Sequence, residues 1–270
     1  MMKNIFTFLM ISIGLLSCED VIELDLNNST PKLVIDAALE LQEDGFTEAT
    51  VLLTRSSSFY QEEIAYVDNA SVVVTDPTGT NHVFTLTDSG LYKNVTLNIL
   101  DGETYTLTII DGTETYTATQ EFISTVPYTR VEQSEITGFG DFTEISGYFN
   151  DPAGIDNYYL FEYIDAYNTE VDISDDEFSD GNEALTAFFM EDLPVGTMVT
   201  LTIKGIDRRG FTFYDTLIQQ TADGGGGPFD TQPATVRGNI INTTNPENFP
   251  YGYFRVSEKF EIEYTVVENP

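Results

Sequence analysis

The side chain with the most distinctive chemistry is the only cysteine, Cys18, which follows Leu15, Leu16 and Ser17. Lys3 supplies a positive start and Ile5 to Leu16 a short apolar run, the layout of a secretory leader processed as a lipoprotein. The run is too short to span a bilayer. Cleavage before Cys18 leaves a thiol to carry lipid and an amino terminus to be acylated, so the mature chain hangs from a membrane by its first residue. Glu19 and Asp20 follow at once, an abrupt change to polar chain.

A second kind of chemistry is offered by carboxylates. Asp172, Asp175, Asp176, Glu177 and Asp180, followed by Gly181, are the densest acidic cluster, and hard oxygen ligands of this kind suit calcium. Asp175, Asp176 and Asp180 are the candidate Ca2+ ligands, although the spacing is not that of an EF-hand loop; the competing reading is a solvated acidic loop. No other cofactor is expected. A glycosidase needs two acids about 5 to 10 Å apart across a cleft, and the sequence does not single out two from its 45 acidic residues.

His82 is the only histidine and is expected on a solvated hairpin, which leaves at most one candidate for a triad or for histidine acid–base work. The Gly-x-Ser-x-Gly elbow and the phosphate loop ending in Gly-Lys-Ser/Thr are both missing. Catalysis is not expected. Contact with a partner or ligand is assigned instead to residues in expected loops: Arg55, Phe59 and Tyr60, and Phe249, Tyr251 and Tyr253. The run Tyr158, Tyr159, Phe161, Tyr163, Tyr167 is either a stacking platform or core, and strand geometry favours core because half of any strand faces inward.

Composition limits the partners. With 45 acidic against 11 basic residues and a formal charge of -34, the chain lacks the Lys and Arg that neutralise phosphates, so nucleic acid is excluded. Anionic lipid is repelled for the same reason, and the lipid on Cys18 must hold the protein at the membrane. A lone cysteine means that the fold does not rest on a disulfide.

The elements that must position these residues are strands. Nineteen Phe and 15 Tyr, with abundant Thr and Val, favour sheets. Leu33 to Ala37, Thr47 to Thr54, Ala70 to Thr75 and Gly102 to Ile109 are short β-type runs separated by turns, and Asp76-Pro77-Thr78-Gly79 predicts a hairpin leading into Val83 to Leu86. The pattern is that of immunoglobulin-like sandwiches. Val126-Pro127 interrupts it. The segments expected are therefore a leader at 1–17, an acidic tether at 18–30, and two antiparallel immunoglobulin-like β-sandwich domains at 31–126 and 127–270. Tyr158 to Tyr163 is apolar on both faces, as a central strand should be. Phe211, Tyr214, Leu217 and Ile218 predict one short helix near 210–221. Residues 172–183 are read as a loop.

Several stretches together resemble an uncharacterised, domain-of-unknown-function family of Bacteroidota outer-membrane lipoproteins. They are Cys18-Glu19-Asp20, Leu33 to Ile35, Leu53 to Ser56, Asn69 to Asp76 and Gly102 to Ile109. The second half adds Asp151-Pro152 with Asn157-Tyr158-Tyr159, then Phe178 to Glu183, Leu193 to Thr197, Pro228-Phe229 and Gly252-Tyr253-Phe254. The likeness spans nearly the whole mature chain. It implies a lipid-anchored outer-membrane protein facing the cell exterior, encoded beside a TonB-dependent receptor and accessory to nutrient uptake. Ligand capture or receptor docking would be its task, with the ligand unidentified. It supplies no catalytic residues. The alternatives are a structural or adhesive surface module and, third, a glycoside or peptide hydrolase.

Overall fold

The computed structural model describes residues 30–57, 63–136, 142–221 and 236–268. Cys18, Phe59, Tyr60, the leader and nearly all of the acidic tether lie outside them. The described chain is mainly β, with one α-helix. In order, its strands are β1 (Leu33–Leu41), β2 (Thr47–Arg55), β3 (Ala65–Tyr66), β4 (Ser71–Thr75), β5 (Asn81–Val83), β6 (Thr85–Asp88), β7 (Leu91–Asn94), β8 (Thr104–Asp111) and β9 (Glu114–Glu121). There follow β10 (Tyr128–Ile136), β11 (Phe142–Asn150), β12 (Tyr158–Ile164), β13 (Thr169–Asp175), β14 (Glu183–Glu191), β15 (Met198–Gly205), the helix α1 (Arg208–Thr221), β16 (Ile241–Asn242) and β17 (Tyr251–Thr265).

Period-two sequence makes period-two burial. In β8, Tyr105, Leu107 and Ile109 point inward while the threonines between them face out. The turn at Asp76 to Gly79 closes as the sequence predicts: Gly79 donates to the Asp76 carbonyl and takes φ +84°, a left-handed conformation that glycine adopts without penalty. The strand after it is split, however. Asn81–Val83 pairs with β4, Phe84 turns inward, and Thr85–Asp88 pairs with β7 in a different sheet.

The strands form three sheets. A nine-stranded sheet runs β13-β12-β15-β17-β1-β2-β7-β6, with β3 added beside β2; a five-stranded sheet runs β16-β9-β8-β4-β5, and a three-stranded one β10-β11-β14. The apolar interior falls into two clusters. One gathers Leu33, Ile35, Leu39, Val51, Leu107, Tyr116 and their neighbours; the other gathers Phe149, Tyr159, Phe161, Tyr163, Leu201 and Ile203. The change-over in sequence lies between Phe122 and Tyr128.

Strand β17 belongs to both clusters. Its first half pairs in parallel with β1, from Val34 beside Tyr251 to Leu41 beside Glu258, and places Phe254 and Val256 in the first core. The second half pairs antiparallel with β15 and packs Phe260, Ile262 and Tyr264 against the second. Each fully buried side chain of this size contributes about 2 kcal/mol of transfer free energy, so this strand ties the two cores together. Among the described residues all the other strand ladders are antiparallel, and the isolated bridge of Ile123 to Ser257 is parallel.

The helix begins two residues earlier than its pattern predicts. Asp207 caps it, accepting from the Gly210 N–H at 2.7 Å. Phe213, not the 211/214/217/218 stripe, is its buried aromatic. The acidic stretch also differs from expectation: residues through Asp175 belong to β13, paired with β12 from Asp175 beside Tyr158, so only its later part is a loop.

Candidate functional site

Alternation along β1 sends Leu33, Ile35, Ala37 and Leu39 into the first core and Asp36 and Glu40 to the opposite face of the large sheet. On that face α1 packs against β12, β13 and β17. Between helix and sheet lies a cavity of about 650 Å³, the size of a small-molecule site. Its walls are mostly apolar, with Val34, Leu160, Val171, Phe213 and Leu217 among them. Tyr214, Tyr251 and Tyr253 bring aromatic rings to it, and Asp36, Glu162 and Arg255 bring charge.

Beneath the cavity the charges form a connected, largely buried network. Glu40 is 5% exposed, and Lys204 and Lys259 are buried too. Glu40 Oε1 lies 3.0 Å from Lys204 Nζ and 3.1 Å from Arg255 Nη2, and its Oε2 lies 3.4 Å from Lys259 Nζ. Lys204 also reaches Glu162 at 2.8 Å, and Lys259 reaches Glu261 at 3.1 Å and Glu48 at 3.3 Å. Arg255 Nη1 donates to Asp36 at 3.0 Å and to the Tyr214 hydroxyl at 3.1 Å. Burial alone would raise the Glu40 pKa. The fields of Arg255, Lys204 and Lys259 overcome it and hold the group at about 2.

The rings are fixed as firmly. Tyr253 donates to Asp207 Oδ1 at 2.7 Å, linking β17 to the helix cap, and Phe213 packs 5.2 Å from both Tyr253 and Tyr214. Burial, and then hydrogen bonding to Asp207, push the Tyr253 phenol well above its ordinary range. Gly252, at φ +105°, lets β17 lie against β1: a Cβ there would meet the Ile35 carbonyl oxygen at 1.9 Å.

Of the contact residues expected from sequence, Tyr251 and Tyr253 reach this cavity. Tyr253 does so as a buried wall residue, 2% exposed, and not from a loop surface. Phe249 stands beside it, 5.8 Å from Tyr251, with Lys32 Nζ 3.6 Å and the Arg237 guanidinium 3.8 Å from its ring centroid. Arg55 ends β2 and is ion-paired with Asp111 away from the cavity walls. His82, expected in solvent, is half-buried with Nε2 2.9 Å from Asp76. The aromatic run of β12 packs as core: Tyr159, Phe161 and Tyr163 are buried.

The charged residues of the network were not singled out by the sequence reading. Their signal is nevertheless present as lone charges inside apolar strands: Ile35-Asp36-Ala37, Leu39-Glu40-Leu41, Ile203-Lys204-Gly205 and Phe254-Arg255-Val256.

The candidate calcium ligands are rearranged. Asp176 and Asp180 come together with Asp151, their carboxylate oxygens within 4.8 Å of one another. Asp175 is not in that group and accepts from the Glu177 N–H. Asp151 is buried and accepts from Tyr159 Oη and Gly181 N, Asp176 from Asn157 N, and Asp180 from Gly154 N. Three carboxylates so placed suit a hard divalent cation, and each also organises the loops around it.

Comparison with known proteins gives a family and a set of distant folds. A family model described as a domain of unknown function matches residues 19–263. No curated protein matches. Among solved structures, a cytokine receptor complex is 12% identical, covering 66% of this chain and 86% of that one at a TM-score of 0.26. A two-domain fibronectin type-III segment of chicken tenascin is 16% identical, covering 66% and 92% at 0.21. The chicken interferon gamma receptor alpha chain is 12% identical, covering 66% and 89% at 0.22. Overlaps this low carry no inference about this chain.

Proposed function

The chain belongs to the DUF4249 family, a domain of unknown function, and from that premise we propose that it is a binding protein that captures a small ligand between α1 and the large sheet. The observation that carries this reading is the cavity of about 650 Å³, apolar in most of its wall and floored by a fixed set of charges. Sites of this build orient a ligand through a few polar groups and hold it by apolar contact. Binding is favoured over turnover because the charged groups there are committed to one another. Glu40 is clamped by three cations and Glu162 is paired with Lys204, whereas general acid–base work needs a group poised to exchange its proton near the working pH.

The proposed site of action rests on the leader together with the family likeness. With Cys18 acylated, the protein is held at the outer membrane facing the cell exterior, where it serves a TonB-dependent uptake receptor by handing over ligand or by docking on it. The Leu-Leu-Ser-Cys ending supports the anchor, and the family likeness motivates the receptor. No helix among the described residues is long and apolar enough to cross a membrane.

Mild-detergent extraction of the tagged protein, followed by mass spectrometry, tests both halves. The expected result is a diacylglyceryl, N-acylated Cys18 and a co-purifying β-barrel receptor. A bare thiol with the leader retained overturns the address, and recovery of the chain alone turns the assignment to a structural or adhesive module.

A further inference from the structure

Resting on that ligand-capture reading, we infer that the cavity takes a primary amine: a protonated amino head on an apolar aliphatic or aromatic body. The apolar walls accept the body. The head is specified by the charges. On the cavity side of the network three carboxylates, Asp36, Glu40 and Glu162, face two cations, Lys204 and Arg255, which leaves it one positive charge short; Glu48 and Glu261 are more exposed and pair with Lys259 away from the cavity wall. The two carboxylates that line the cavity each have an unused oxygen. Asp36 gives Oδ1 to Arg255 and Glu162 gives Oε1 to Lys204, while Asp36 Oδ2 and Glu162 Oε2 have no hydrogen-bond partner among the described residues. The Asp36 side chain is 63% exposed, open to what enters.

An ammonium group has three donors and no acceptor, which matches two unused carboxylate oxygens. Tyr214, Tyr251 and Tyr253 surround the same space, and aromatic faces attract a desolvated cation further. An anion finds the reverse. Among the described residues Arg255 is the only cation in the wall, and its N–H groups already serve Glu40 twice, Asp36 and Tyr214. A neutral head would leave the charge deficit unrelieved.

Three probes with one tail decide the matter: decylamine, decanol and decanoate, below their micelle concentrations, at neutral pH and physiological salt, titrated calorimetrically into the full chain. The expected result is one-to-one binding of decylammonium at least about tenfold tighter than decanol, with decanoate weakest. Asp36→Asn and Glu162→Gln should each narrow the amine-to-alcohol ratio to within about threefold, while Leu217→Ser, at the half-exposed helix wall, should weaken amine and alcohol alike. Asp36→Asn alters a mostly exposed side chain and keeps the test usable if Glu162→Gln disturbs Lys204. If no probe binds, the capture reading itself fails. Should decanol or decanoate bind as tightly as the amine, capture stands and the amine assignment is overturned. Amine binding that ignores all three substitutions places the amine on the acidic surface and overturns the site.

Discussion

Glu40→Gln removes the charge on which three cations converge and leaves the shape of the side chain almost unchanged. The Glu40 carboxyl has its pKa lowered from 4.5 to about 2, and at 1.36 kcal/mol per unit this corresponds to about 3 kcal/mol of stability. Breaking a buried ion pair from one side costs about 3 to 5 kcal/mol, the same order. The sign is that of a depressed carboxylate: the contribution is whole above about pH 4.5 and drains away as pH falls through about 2. Urea denaturation followed by circular dichroism, on parent and variant at intervals from pH 7 to 2.5, is the assay. Asp76, Glu114, Glu132, Asp165 and Glu183 are also held low and will slope both curves. The difference between the curves isolates Glu40: about 3 kcal/mol at pH 7, shrinking below pH 4.5. A difference under about 0.5 kcal/mol at pH 7, or one that does not change with pH, would refute the reasoning.

Other substitutions probe the frame around the cavity. Gly252→Ala drives a methyl into the Ile35 carbonyl at a left-handed φ, and should cost more than about 3 kcal/mol, seen as loss of soluble protein or a steep fall in thermal midpoint; near-parental stability would mean that β1 and β17 are not so closely apposed. Tyr159→Phe deprives the buried Asp151 of a hydroxyl donor and should cost about 1 to 3 kcal/mol in urea titration. Millimolar calcium should raise the thermal midpoint of the parent protein but not of Asp180→Asn, since Asp151, Asp176 and Asp180 converge; an unmoved parent midpoint leaves these carboxylates with loop hydrogen bonding alone.

Local features were legible in the sequence and distant ones were not. The alternation of Thr104 to Ile109 and the turn at Asp76 to Gly79 are set by neighbours along the chain, and both appear as read. The helix is legible from its spacing, and Tyr214 and Leu217 of that stripe do face the sheet, but Phe213, its most buried aromatic, is hidden in a run, Phe211-Thr212-Phe213-Tyr214, that fits more than one stripe. Nothing local marks β17 as the parallel partner of β1, since the pairing is specified only by what both strands bury. The cavity depends on that pairing: Asp36 and Arg255 meet only because the two strands are adjacent. Asp151 was passed over among the acids for the same reason, being separated in sequence from the loop it joins.

The position of β17 has a consequence for how the protein is made. Whether the chain emerges from a ribosome or through an export channel, β1 arrives early, and the strand that flanks it comes about two hundred residues later; Glu40 and Arg255 stand 215 apart. Until then one edge of β1 has unpaired peptide groups and an apolar flank, the kind of edge that recruits strands from other molecules. Assembly therefore waits for translation or translocation to be nearly complete, and closing so distant a pair is entropically slow. A nonsense mutation that removes only the final strand would leave that edge of β1 open for good.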